Sequence, residues 1–181
     1  MSNSLVKLID NSLLPAILII FGKFLGIYLA NFIFGAEIGI TSNSTGVFSF
    51  QTVTTQEDLV LVSTFSDLFM FSLVALGFII NLVNAVFFHN SHINVNLVAK
   101  LAHLNLLSIV KSSYELYHSG VTWFIFTWVA SFLVLFNVAL GKTTGWTGIV
   151  VVLFSIALSV ALFRDLLKEI ELSKKKLMQN I

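Results

Sequence analysis

Residues 13–34 read LLPAILIIFGKFLGIYLANFIF, and this stretch decides the fold. Wound as a helix at ~1.5 Å per residue it is about 33 Å long, enough to cross the ~30 Å hydrocarbon layer of a bilayer. Lys23 stands at its centre among aliphatic and aromatic neighbours. An ammonium there costs about 3 kcal/mol or more unless something solvates or pairs it, so Lys23 must face protein or water. Gly22, Gly26 and Ala30 repeat beside it at a four-residue step. On a helix that step makes one stripe of small residues, which lets another helix come close.

The composition agrees with this reading. Of 181 residues, 57% are hydrophobic and only 10% charged, against roughly 25% charged in a soluble domain. The mean hydropathy is +0.95. The expected fold class is therefore an all-α integral membrane protein. A net charge of +1 gives no basis for a nucleic-acid partner. The absence of cysteine removes thiolate catalysis, Cys-ligated zinc, iron–sulfur clusters and disulfide exchange together. A single Pro and a single Arg amid abundant Phe, Ile, Leu, Asn, Ser and Lys suggest an AT-rich, bacterial source.

Working outward from Lys23, residues 1–12 suit a short amphipathic helix on the membrane surface, with Pro15 opening the first span at 13–34. Ala36 to Phe65 contains no Lys or Arg, so the positive-inside rule puts this loop outside the cell. Within it, Gly46 to Thr54 alternates weakly as a strand or hairpin would, and Asn43-Ser44-Thr45 matches a short glycosylation sequon that arises often by chance. Thr55 with Asp58 three residues on marks a helix start, leading into a second span at 66–88. Asp67, Gly77, Asn81 and Asn84 share one face of that helix. Two asparagines this deep must face a neighbouring helix.

Residues 94–118, wound as one helix, separate Val98, Leu106 and Leu116 from Lys100, His103 and Lys111, as an interfacial cytoplasmic helix does. A fifth span here is the rival reading, but it would send the lysine-rich C-terminus outside. Spans three and four are expected at 121–140 and 146–163, joined by a tight turn at 141–145. Ser155 and Ser159 repeat the small-residue spacing on the fourth. A helical tail, 164–181, follows with Lys174, Lys175 and Lys176. The architecture is thus a four-transmembrane-helix bundle, one domain, with an interfacial helix and a helical C-terminal tail. Lys7, Lys100, Lys111, Arg164, Lys168 and the triple lysine fall on one side and Lys142 alone on the other, so both termini are expected in the cytoplasm of a bacterial inner membrane.

Because Asp67 lies towards the outer surface, the spans offer Lys23 no evident carboxylate, and its rescue is expected from Asn81, Asn84, backbone carbonyls, water or an anion. That weakens a proton-coupled transporter, which uses a buried acid. His89, His92, His103 and His118 fall at or below the inner boundary, too shallow for a membrane haem, and no metal or other cofactor is expected. No nucleophile elbow, P-loop or HExxH motif is present, and enzymatic activity is not expected. Two functional readings remain. One is a membrane sensor, anchor or effector subunit that forms homo-oligomers through the Gly22/Gly26/Ala30 and Ser155/Ser159 faces and docks a soluble cytoplasmic protein on Lys100, Lys111 and Lys174–Lys176. The other is a homo-oligomeric, anion-favouring channel lined by Lys23, Asn81 and Asn84. In both, the lipid bilayer is the first partner, and the lysines also suit anionic lipid.

Overall fold

A computed structural model of the chain describes residues 3–35, 38–39, 51–52, 56–87, 95–104 and 113–179. Five helices account for nearly all of them: α1 (Asn3–Phe34), α2 (Gln56–Phe87), α3 (Val95–His103), α4 (Ser113–Ala139) and α5 (Gly145–Gln179). Strands β1 (Ile38–Gly39) and β2 (Gln51–Thr52) pair antiparallel between α1 and α2, Ile38 opposite Thr52. Four helices are long and apolar enough to span a membrane, over Ser12–Phe34, Glu57–Val86, Glu115–Ala139 and Gly145–Leu172.

Burial runs inside out relative to a soluble bundle. Ser66, Asp67, Thr127, Ser131, Thr147 and Ser155 are buried, while Phe32, Phe132, Ile149 and Leu153 lie open on the outside. In hydrocarbon this is the stable arrangement, since a lipid-facing polar group goes unpaired and a lipid-facing Leu costs nothing. The hydroxyls inside close on their own helix: Thr127 donates to the Trp123 carbonyl at 2.8 Å, and Ser155 to that of Val151 at 2.9 Å.

Successive spanning helices run antiparallel. Gly22 of α1 meets Met70 of α2 and Gly26 meets Ser66; α2 in turn lies against α4, with Gly77 under the ring of Trp123 and Asn81 beside Gly120. The α4–α5 contact is polar at its centre, where Ser131 and Ser155 share a 2.7 Å hydrogen bond and the Trp128 indole N–H donates to Ser159 at 3.1 Å. Met70, Val74, Phe78, Trp123, Val134 and Val151 fill the middle. The start of α1 and the end of α5 consequently share one end of the bundle, here the terminal end; the α1–α2 connection and the α4–α5 turn share the other, the loop end.

Several expectations change. The surface helix and the first span are one helix, since α1 runs unbroken through a buried Pro15; proline inside a membrane helix is tolerated where neighbours re-satisfy the freed carbonyl. The second helix starts where Thr55 and Asp58 mark it, at Gln56, so the last ten residues of the 36–65 stretch are helical. Of the helix expected over 94–118, the structure describes α3, which ends at His103, and the first turns of α4 from Ser113, while 105–112 lie outside the described residues. The sequon at Asn43 and most of the alternating 46–54 stretch lie outside the described residues, as do His89, His92 and Lys111.

Candidate functional site

The loop-end half of the bundle carries a charge cluster built from three helices. Lys23 of α1 forms an ion pair with Asp67 of α2 through Oδ1. The Asn137 amide of α4 donates to both oxygens of the same carboxylate, at 3.1 and 2.9 Å. Thr143, in the α4–α5 turn, donates to Oδ2 at 2.5 Å. With its proton committed to Asp67, Thr143 accepts from the Ser63 hydroxyl at 3.2 Å. Next to it the Thr144 amide donates to the Thr64 hydroxyl at 3.1 Å, and the Thr144 hydroxyl lies 2.7 Å from that of Thr147. The carboxylate is fully enclosed, while the Lys23 side chain keeps 30% of its surface open. Beside the cluster a groove of about 1030 Å³ opens laterally between Phe34, Leu61, Phe65 and Trp146, with Thr64 and Thr144 on its floor.

Local structure explains why these groups converge. The register of α1 on α2 is set by the small-residue stripe: a Cβ on Gly26 would stand 2.7 Å from the Ser66 Cα, so only glycine permits this approach. Locked there, Lys23 reaches the turn of α2 that bears Asp67. At the other side, α4 ends in a Schellman cap, with Gly141 at φ 67°, its N–H on the Val138 carbonyl at 3.0 Å and the Lys142 N–H on that of Asn137 at 2.9 Å. Asn137 is thereby held in the last turn of the helix, and the chain returns so that Thr143 points back at the same carboxylate.

This corrects the expectation that Lys23 has no acid to pair with. Asp67 lies eleven residues (67 minus 56) along α2, about 16 Å from its start at ~1.5 Å per residue, deep enough to meet a lysine at the centre of α1. Asn81 and Asn84 are not its partners. Asn81 sits fourteen residues (81 minus 67) further along the helix, about 21 Å away at ~1.5 Å per residue, buried next to Gly120 with an amide nitrogen that has no hydrogen-bond partner among the described residues. Asn84 is half-buried beyond it. Met70, Val74 and Phe78 fill the interval, so Lys23, Asn81 and Asn84 do not share one lining within a single chain.

The small-residue faces are likewise used inside the chain. Gly22, Gly26 and Ala30 are buried against α2, and Ser155 and Ser159 against α4, which leaves neither stripe open for a second copy. Lys100 of α3 and Lys174 and Lys175 of α5 are exposed, and Lys176 lies within α5. Sequence reasoning missed Asn137 and Thr143 as partners of Asp67. The signal available for the ion pair was its symmetry about the α1–α2 connection: Lys23 precedes Phe34 by eleven residues, as Asp67 follows Gln56 by eleven.

Fold and cluster together define an integral membrane protein, a four-helix bundle in which an ion pair ties α1 to α2 and the Asn137 and Thr143 donors tie that hairpin to the α4–α5 one. No protein-family model, curated protein or solved structure matches the chain.

Proposed function

We propose that this protein is an oligomeric membrane anchor that docks a soluble cytoplasmic protein, the Lys23–Asp67 cluster serving to hold the two hairpins in one rigid frame. The observation that carries the reading is α5. It continues as one unbroken helix from Gly145 to Gln179. A bilayer of ~30 Å needs only ~20 helical residues, whereas α5 at ~1.5 Å per residue is about 52 Å long. The surplus stands clear of the membrane as a stalk. Its flanks carry Lys168, Glu171, Lys174 and Lys175, all exposed, and Lys100 of α3 adds positive charge at the same end. A polar rim with basic charge around apolar positions is what a protein-binding surface offers. The proposed orientation, termini in the cytoplasm, follows from the lysine asymmetry between the two ends.

A photo-crosslinking residue at Lys168 or Lys175 of the full chain in native membranes tests this. A discrete adduct with a soluble protein, lost in the Lys100→Glu variant, supports docking. Adducts with lipid alone at both positions contradict it. Light scattering in detergent tests the oligomer separately, and a lone monomer at every protein concentration contradicts that half.

A further inference from the structure

We infer that a second copy of this chain covers one face of α5, the two helices pairing in parallel as a coiled coil that begins in the bilayer and continues into the stalk. The inference rests on the oligomeric half of the proposal above and assigns its interface. Within the span, Ile149, Leu153, Ile156, Val160 and Phe163 follow one another at steps of four, three, four and three residues, and all are exposed. Leu167 and Ile170 continue the same alternation beyond Arg164, exposed by 60% and 56%. This is a heptad a/d seam running over three repeats, from 149 to 170. It lies opposite the face that α5 gives to α4, which uses Val151, Ser155, Leu158 and Leu162.

Exposed apolar residues inside a bilayer need no protein partner, because lipid is as apolar as they are. The stalk portion is what argues for a second helix. There Leu167 and Ile170 carry the seam between the exposed charges Arg164, Lys168 and Glu171, and the other exposed apolar residues among the described ones, Leu172 and Met178, stand singly off it. A strict 3.5-residue repeat drifts ~20° per heptad around a straight helix, so the stripe winds left-handedly and matches another helix that winds with it. Seven such side chains at roughly 100 Å² each present about 700 Å² per copy, near the ~800 Å² per partner of a standard interface. Two copies in one membrane, related by an axis along its normal, bring identical helices together in parallel with the same positions facing. Lys174 falls at the next a position and is exposed; a single lysine there weakens the pair while fixing its register.

The chain has no cysteine, so single cysteines can be scanned along α5 of the full-length protein in membranes under mild oxidation. Disulfide-linked dimer is expected several-fold more at 153, 156, 160, 163, 167 and 170 than at 154, 161 and 168, and Lys174→Leu should raise the yield in the stalk. A flat profile, or preferential linking through α1 positions such as Phe32 while α5 stays unlinked, overturns the seam but leaves the oligomer intact. Monomer alone by light scattering, with no linking anywhere, overturns both.

Discussion

Neutralising both members of the Lys23–Asp67 pair should cost no more than neutralising either one alone. Lys23→Met leaves the enclosed Asp67 carboxylate with Asn137 and Thr143 as donors but without its counter-charge. Asp67→Asn leaves an ammonium in the bundle with an amide oxygen at best. Breaking a buried pair from one side costs about 3–5 kcal/mol. The lower end applies here, about 3 kcal/mol each, because Lys23 retains 30% exposure and can tilt towards the loop end. The double variant removes both charges and keeps an amide for Asn137 and Thr143, so its total should be about 3 kcal/mol rather than the sum of about 6, a coupling near 3 kcal/mol. Unfolding in detergent, followed by the fluorescence of Trp123 and Trp128 on α4, reads this directly. At ~2–4 °C per kcal/mol for a chain of this size, each single variant should lose about 6–12 °C in Tm and the double no more than a single. If the losses add, with the double near twice the single, the two groups are not paired and the cluster is wrongly drawn.

The packing of α1 on α2 predicts that Gly26→Val separates the helices, since its side chain would start 2.7 Å from the Ser66 backbone; a loss of about 2–3 kcal/mol in the same unfolding assay is expected. Gly141→Ala puts a side chain on a residue with φ 67°; it should cost about 1–2 kcal/mol from the left-handed backbone alone and, by disturbing Asn137 and Thr143, shrink the Lys23–Asp67 coupling in a repeated double-variant cycle. Ser155→Ala removes the bond to Ser131, whose single proton then turns onto the Thr127 carbonyl 2.8 Å away, so the loss should be only about 0.6 kcal/mol.

Much of this molecule could be read without coordinates, for identifiable reasons. The spanning helices were legible because hydrocarbon imposes length and apolarity on each one independently, and α5 was expected to run on as a helix past Phe163. The ion pair was not legible, because the depth of Asp67 depends on how much of α2 ahead of it packs within the bundle and on the register of α2 against α1. Taking 66 as the start of the span makes Asp67 superficial; the ten residues from Gln56 to Phe65 that precede it in the helix place it inside. Asn137 and Thr143 join the site only through the Gly141 cap, a tertiary consequence of a local turn. The small-residue stripes were read as faces between copies, and here they meet helices of the same chain, because spacing alone does not distinguish a neighbour in the same chain from one in another. The exposed seam on α5 emerged only once α4 had claimed the serine face.

The sidedness of the bundle decides whether α5 can meet a cytoplasmic partner at all, and labelling of Met178→Cys and Lys142→Cys with a membrane-impermeant thiol reagent measures it. Both residues are exposed, at opposite ends of the bundle. The proposed function predicts that Lys142→Cys is labelled in intact cells and Met178→Cys only after the membrane is opened. Labelling of Met178→Cys in intact cells would contradict it.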